Sequence, residues 1–271
     1  MTPKHACIVS VCAATLFGMM HAVVGAPDRV ATFDDEKALS DWQTKGEVAV
    51  DTARNHADGE GGALKLAPGS QAIWKLRDGV GAGTVTMGIY DDGTRPDKPK
   101  ARRAGPQWGV MDTNGRLLAM GMTYAPYLGG GKTYCAAEYV PAKNEEPWFG
   151  LQYVGQRRKE GWTKWTFAFD SEKGAEIFRD GREVGRYDWS KSQVKGFQRV
   201  ALLGDAGKGP GQTLWVDDIS VTLGGEMEIS PRTLIVPEED PELKGKAAEI
   251  VPGLRGKHPR LLFSAEDVDK L

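Results

Sequence analysis

Short segments of alternating hydrophobic and polar residues run through most of the chain. The segment WTKWTFAFDSEKGAEIFRDG shows this most clearly, because Trp165, Phe167 and Phe169 occupy every second position. Alternate side chains of a strand face opposite sides of its sheet, so these three aromatic residues are predicted to share one buried face. Turn-forming residues follow at Ser171 to Gly174 and at Asp180-Gly181. The pattern therefore predicts strands joined by tight turns.

Further strand-length segments lie on both sides of this region. They include GALKLAPGSQAIWKL, GTVTMGIYDDG, RVALLGD and QTLWVDDISVTL, which are separated by glycine, proline and aspartate. Many short strands without a long helical period are typical of two packed antiparallel sheets. The sequence therefore predicts an all-β fold, an antiparallel β-sandwich of the jelly-roll kind, over residues 27–225.

The two ends of the chain differ from this central region. Residues 1–26 contain one lysine, an apolar run and small residues at the end, which is the pattern of a signal peptide. A membrane anchor is the alternative, although the apolar run is shorter than the ~20 residues that span a bilayer. We expect a secreted or periplasmic protein that has no membrane contact once the signal segment is removed.

The C-terminal part is predicted to be an irregular tail. Residues 226–257 mix four prolines with charged residues, which indicates a linker. Residues 258–271 follow, and Ser264 with Asp267 has the spacing of a helix N-cap. The sequence thus predicts a short helix at the end of the tail.

Charge and cysteine content narrow the possible functions. The chain has 35 basic and 37 acidic residues, and removal of the signal segment with Lys4 leaves 34 against 37. This balance lacks the overall excess of basic residues that is typical of nucleic-acid-binding proteins. Of three cysteines, only Cys135 lies outside the signal segment, so the mature chain is predicted to have no internal disulfide.

Two groups of segments resemble known families. TFDDEKALSDWQ and LWVDDISVT resemble the noncatalytic jelly-roll modules of bacterial carbohydrate-active enzymes, of the galactose-binding-like or concanavalin-like group. HPRLLFSAEDVDKL, residues 258–271, resembles the segment that opens the helical domain of heparinase II/III-like polysaccharide lyases. The resemblance implies an accessory module whose partner is a lyase body beyond Leu271. A freestanding lectin-like protein and a packing module without a ligand are the alternatives.

No catalytic residues are predicted in this chain. Concanavalin-like glycosidases use closely spaced carboxylates on one strand, of the Glu-x-Asp-x-x-Glu type, and that spacing does not occur in the sequence. The sequence also contains no zinc-ligand spacing, nucleophile elbow or phosphate-binding loop. The predicted role is therefore binding.

One structural Ca²⁺ is implied by the resemblance to jelly-roll modules. In such modules, acidic residues of the first and last strands meet around the ion, which takes six to eight oxygen ligands. The corresponding residues are Asp34, Asp35, Asp217 and Asp218. The alternative is that both pairs are edge charges or turn residues.

Aromatic and basic residues of the central region are the candidates for polysaccharide binding. Aromatic faces stack on sugar rings, and the alternative for each aromatic residue is a place in the core. Arginine binds carboxylate or sulfate with two hydrogen bonds, which predicts an acidic polysaccharide as the partner. A solvated loop is the alternative for the basic residues. The candidates are Trp108, Tyr124, Tyr127, Tyr134, Trp148, Trp162, Arg102, Arg103, Arg157 and Arg158.

Overall fold

The structure is a computed structural model. It describes residues 27–54, 61–95, 104–123, 131–141, 152–170, 172–188, 194, 197–206 and 211–224. The predicted signal segment (1–26), linker (226–257) and lyase-like start (258–271) lie outside the described residues.

Fifteen strands are found within the described residues. They are β1 (Arg29–Ala31), β2 (Trp42–Lys45), β3 (Val48–Asp51), β4 (Ala63–Leu66), β5 (Gln71–Val80), β6 (Ala82–Asp91), β7 (Ala104–Met111), β8 (Leu117–Thr123), β9 (Thr133–Tyr139), β10 (Gln152–Arg157), β11 (Gly161–Asp170), β12 (Gly174–Arg179), β13 (Arg182–Asp188), β14 (Phe197–Leu203) and β15 (Leu214–Leu223). A 3₁₀ turn is formed by Glu36–Leu39. No described helix is long and apolar enough to cross a membrane.

The strands form two antiparallel sheets. In the first sheet the order is β13-β12-β11-β6-β15-β4-β3, and β1 pairs with β15 outside this path. In the second sheet the order is β10-β9-β8-β7-β14-β5-β2. The chain crosses from one sheet to the other several times, as in a jelly roll. The predicted all-β sandwich is therefore confirmed.

The main core lies between the sheets. Trp165, Phe167 and Phe169 of β11 are completely buried there, as their alternation predicts. The turn at Asp180-Gly181 is also confirmed, with φ angles of 50° and 80°. Two consecutive residues with positive φ match the twist of the flanking strands, so the hairpin closes with two residues.

The faces of the sheets that point away from the core differ in composition. The outer face of the second sheet carries a small apolar cluster with many alanines. The outer face of the first sheet instead carries aromatic, hydroxyl and charged side chains, which alternate along the strands with the residues that face the core. Cys135, of the second sheet, is a free and buried thiol whose pKa is raised by burial to about 12.

Candidate functional site

The end of strand β6 places two neighbouring residues on opposite sides of the first sheet. Val85, Met87 and Ile89 face the core, so Tyr90 faces outward and is half-buried. Asp91 then faces inward and is completely buried. Each residue is the centre of a group of polar and aromatic side chains, and the two groups have different chemistry.

The inner group, which we call the buried polar cluster, consists of Asp91, Arg158, Tyr134 and Gln212. The Asp91 carboxylate accepts hydrogen bonds from Arg158 Nε at 2.7 Å, from Tyr134 Oη at 2.8 Å and from Gln212 Nε2 at 3.1 Å. Arg158 Nη2 donates to the same carboxylate, and so does the backbone N–H of Gly93 at 2.9 Å. Both carboxylate oxygens are therefore satisfied.

The negative charge of Asp91 and the positive charge of Arg158 balance each other in the buried polar cluster. Burial alone would raise the pKa of Asp91, but the hydrogen bonds and the charge of Arg158 outweigh burial, and the pKa is lowered. Burial also raises the pKa of Tyr134, and the Asp91 charge raises it further. Asp91 therefore stays ionised and Tyr134 stays protonated at neutral pH.

The buried polar cluster joins several connections at one end of the sandwich. Arg158, which follows β10, also donates to the backbone oxygens of Thr94 and Gly131 at 3.0 and 3.1 Å. Gln212 precedes β15, and its backbone N–H donates to Asp205 at 3.1 Å. Since each group has its partners inside the protein, the cluster is suited to holding these connections together.

The outer group begins with three aromatic residues, which we call the outer aromatic row: Trp162, Tyr90 and Trp215. They lie opposite one another on the adjacent strands β11, β6 and β15. The ring centroid of Tyr90 is 5.4 Å from that of Trp162 and 5.8 Å from that of Trp215, both in edge-on contact. Trp162 is half-buried, whereas Trp215 is only 7% exposed.

Arg54, in the connection after β3, lies over this row. Its guanidinium carbon is 4.2 Å from the ring centroid of Tyr90 and 4.4 Å from that of Trp215. Trp215 Nε1 donates to Asp51 Oδ2 at 2.9 Å, and this hydrogen bond is the main reason why the pKa of Asp51 is lowered. Thus Asp51 orients Trp215, and the two rings support Arg54.

Two lysines extend the polar surface around the row. Lys65 of β4 lies opposite Trp215, so it occupies the next position along the row. Lys164 of β11 is exposed on the same face, two residues after Trp162. The outer group therefore combines aromatic rings with cationic side chains, which is chemistry for binding a ligand.

Several sequence-based site predictions are corrected by the structure. Trp108 and Tyr134 are 0% exposed and contact each other and Trp165 in the core, so they are excluded from a surface site. Their stretches of sequence are rich in aromatics because aromatic side chains fill the space between the sheets. The Arg158 side chain is only 2% exposed and is paired with Asp91, so it is not a surface cation.

The other predicted sugar-binding residues fall into two groups. Trp162 belongs to the outer aromatic row, and Arg157 is a half-buried residue at the end of β10 whose carbonyl accepts from Arg179 at 2.8 Å. The structure does not describe Tyr124, Tyr127, Trp148, Arg102 and Arg103.

The carboxylates of three of the four predicted calcium ligands accept hydrogen bonds, and the fourth residue, Asp218, donates its backbone N–H to one of them. Asp35 caps the 3₁₀ turn by accepting from the Lys37 backbone, and Asp34 accepts from the Thr32 hydroxyl at 3.0 Å. Asp217 accepts from the backbone of Asp218, where the pairing of β15 with β6 shifts register. Within the described ranges, no three Asp, Glu, His or Cys side chains form a metal-binding group. Calcium thus stays a prediction, which a melting curve with and without EDTA tests.

Sequence reasoning missed Tyr90, Trp215 and Arg54 as site residues. The sequence contains a signal for the first two, because each is an aromatic residue at an outward position of an alternating strand. Tyr90 follows the core residue Ile89, and Trp215 stands between Leu214 and Val216. An aromatic residue in an outward position of a strand is a candidate for a surface contact. Their proximity depends on strand order, which the alternation does not contain.

No protein-family model matches the chain, and no curated protein matches it. The chain is similar in structure to the cellulose induced protein Cip1, with 13% identity, a TM-score of 0.49, and 70% of this chain and 96% of that chain covered. The carbohydrate esterase vb_24B_21 of Shiga toxin-encoding bacteriophage phi24B is 10% identical with a TM-score of 0.47, and the match covers 72% of this chain and 97% of that chain. Domain 4 of AbnA, an extracellular arabinanase of Geobacillus stearothermophilus solved with arabinotriose, is 13% identical with a TM-score of 0.44. That match covers 73% of this chain and 93% of that chain.

Proposed function

We propose that this chain is a carbohydrate-binding β-sandwich module whose sugar-contacting surface is the outer face of the first sheet. The observation that carries the proposal is the outer aromatic row with Arg54 above it. Sugar rings present C–H groups on their faces and hydroxyl groups around their edges. A ligand of this kind needs aromatic surface beside polar donors and acceptors, and the outer group supplies both.

The hydroxyl groups of the same face support this proposal. Thr86 of β6 and Thr166 of β11 are half-buried on the outer face, and their hydroxyl oxygens are 3.1 Å apart. They lie on the same two strands as Tyr90 and Trp162, further from the strand ends. The face therefore presents flat polar surface next to aromatic surface, where an apolar peptide would leave polar groups unpaired.

Affinity electrophoresis of the full chain tests the proposal. Gels containing alginate, polygalacturonate, xylan or heparin are compared with a gel without polysaccharide. We expect retardation by at least one polymer, and we expect Trp162→Ala to reduce it because a stacking surface is lost. Leu203→Ala is the control, since Leu203 is a half-buried apolar residue on the outer face of the second sheet. Normal mobility of the wild type in every gel would support a packing module without a ligand instead.

The parent enzyme is a second part of the proposal. The resemblance of residues 258–271 to heparinase II/III-like lyases supports a role in positioning polysaccharide for such an enzyme. The coding DNA after Leu271 tests this part, and an immediate stop codon with no lyase-like sequence beyond it would contradict it. Export of the module is tested by N-terminal sequencing of the mature protein, which we expect to begin near Pro27.

A further inference from the structure

The outer aromatic row is part of a longer line of side chains that crosses the strands. Because Lys65 lies opposite Trp215, the line runs from Trp162 through Tyr90 and Trp215 to Lys65. Neighbouring strands are about 4.8 Å apart, so the line is about 14 Å long. A sugar unit in an extended chain advances by nearly the same distance as one strand spacing, so such a chain would place about one unit over each strand.

The two halves of this line have different chemistry. Trp162 forms an aromatic half, because the Arg54 guanidinium lies over the Tyr90 ring as well as over Trp215. At the other half, the nearly buried Trp215 lies beneath Arg54, so the surface group at that position is a guanidinium, and Lys65 follows it. A ligand that fits the whole line therefore presents ring faces at one end and acceptors of cationic hydrogen bonds at the other.

Arg54 is well placed to receive a carboxylate. Its guanidinium contacts two ring faces and interacts with the charge of Asp51, and no described residue accepts a hydrogen bond from it. The neighbouring Asp51 carboxylate already accepts from Trp215 Nε1 and from the Ala53 backbone at 3.0 Å. A planar guanidinium that is held against aromatic rings keeps its N–H groups in the plane, where carboxylate binds with two hydrogen bonds.

Within the described residues, both ends of the line reach a border of strand pairing. Strand β12 pairs with β11 only from Trp165 onward, so Trp162 lies beyond the last pair. At the other end, Lys65 is separated from the edge of the sheet by β3 alone, whose residue opposite Lys65 is Ala49. The side chain of Ala49 is too small to block a ligand beside Lys65, and β12 does not extend beside Trp162. As far as the described residues go, a polymer is therefore able to continue past either end.

From this geometry we infer that the line binds an internal stretch of an extended acidic polysaccharide that runs across the strands. A sugar face contacts Trp162, and carboxylates of the following units contact Arg54, which lies over Tyr90 and Trp215, and Lys65. The inference rests on the proposed carbohydrate-binding function, and it adds the class of the ligand, its direction and its minimum length. A run of about four units is expected, one for each strand of the line.

Titration calorimetry of the full chain with two matched series of oligomers tests the inference. The first series is β-1,4-linked mannuronate from dimer to hexamer, and the second is β-1,4-linked glucose of the same lengths, which is extended but has no carboxylates. We expect affinity for mannuronate to rise to the tetramer and then level off, with glucose oligomers at least about tenfold weaker, since hydrogen bonds to charged groups are the stronger ones. Reduction of the terminal sugar of the hexamer is expected to change nothing.

Variants then test which part of the ligand each half of the line contacts. Arg54→Met is expected to lower tetramer affinity about tenfold and to reduce its salt dependence between about 0.1 M and 1 M NaCl. Lys45→Ala is the control, because Lys45 is an exposed cation on β2 of the second sheet and its loss changes the net charge equally. Trp162→Ala is expected to lower affinity for both series by two- to tenfold, about the size of an aromatic contact.

The outcomes separate the inference from the proposed function. Equal binding of both series, or equal binding of dimer and hexamer, would overturn the inference while sugar binding stands. Equal loss of affinity in Arg54→Met and Lys45→Ala would also overturn it, because the effect would be that of net charge. Absence of binding to both series and to the polysaccharide gels would overturn the proposed function itself.

Discussion

The buried polar cluster and the outer group, which comprises the outer aromatic row with Arg54 and Asp51, contain the same kinds of side chain on opposite sides of one strand end. Each has an arginine, an aspartate and an aromatic side chain that donates to the aspartate: Tyr134 to Asp91 inside, and Trp215 to Asp51 outside. Inside, the arginine also donates to the aspartate, and both charges are satisfied within the protein. Outside, the arginine lies on aromatic rings with its donors unmatched by any described acceptor. The same residue types thus satisfy one another inside the protein, whereas outside they form the surface for which we propose a ligand.

The largest expected effect is that of breaking the inner ion pair. Arg158→Met removes the cation and leaves the buried Asp91 carboxylate uncompensated, so we expect the free energy of unfolding to fall by about 3–5 kcal/mol. Urea denaturation measures this value. Lys159→Met is the control, because the neighbouring Lys159 is exposed, and its change is expected to stay within about 0.5 kcal/mol. Similar stabilities of the two variants would show that the inner cluster does not hold the sandwich together.

The next effect in size is the acid dependence of stability. The pKa of Asp91 is lowered in the folded protein from 3.8, so the contribution of Asp91 is complete above that pH and is lost as the pH falls through the folded pKa. Urea unfolding from neutral pH down to about pH 2 is therefore expected to show a steep loss of stability below about pH 4. Each unit of difference between the folded and unfolded pKa corresponds to about 1.4 kcal/mol.

Two variants assign this acid dependence to the inner or the outer group. The double variant Asp91→Asn/Arg158→Met is expected to flatten the loss markedly, because it removes both charges of the inner pair. Asp51→Asn is expected to flatten it less, since Asp51 is near the surface and its main partner is the neutral indole of Trp215. A larger change in Asp51→Asn than in the double variant would reverse the comparison between the two groups.

The outer hydrogen bond is expected to have a smaller effect on stability. Trp215→Phe removes the donor to Asp51, and a neutral donor with a half-buried acceptor contributes about 1 kcal/mol to the free energy of unfolding. A double-mutant cycle with Asp51→Ala isolates this pair, and we expect a coupling energy of about 1 kcal/mol. A coupling energy close to zero would mean that Asp51 does not orient the indole ring.

Local sequence patterns predicted a large part of the fold. The alternation of Trp165, Phe167 and Phe169 and the turn at Asp180-Gly181 each depend on a few neighbouring residues, and both were predicted correctly. Composition and the many short segments were enough to indicate two antiparallel sheets. The order of strands within the sheets was not predicted, because pairs such as β6 with β15 join residues that are far apart in the chain.

The candidate site was predicted less well for the same physical reason. Trp162, Tyr90 and Trp215 meet only because β11, β6 and β15 are adjacent, so only Trp162 was recognised from its own neighbourhood. Arg158 belongs to a basic stretch and was predicted to be exposed, but Asp91, 67 positions away, pairs with it in the interior. A local count of charges does not show which charge has a distant partner.

The smallest expected effect on stability accompanies a large effect on binding. Arg54→Met removes a cation that contacts ring faces at a partly solvated surface, so we expect the free energy of unfolding to fall by only about 0.5–1 kcal/mol. The same substitution at Arg158 is expected to cost several times more, although each arginine lies near an aspartate that accepts a hydrogen bond from an aromatic side chain. Urea denaturation of the two methionine variants side by side, with polysaccharide affinity measured on each folded protein, gives the most direct test. If Arg54→Met unfolds the protein as readily as Arg158→Met, then Arg54 is a structural residue, and its position above the row is explained by packing. If instead Arg54→Met stays stable and loses affinity, then the difference between the two arginines lies in whether the protein itself supplies the carboxylate.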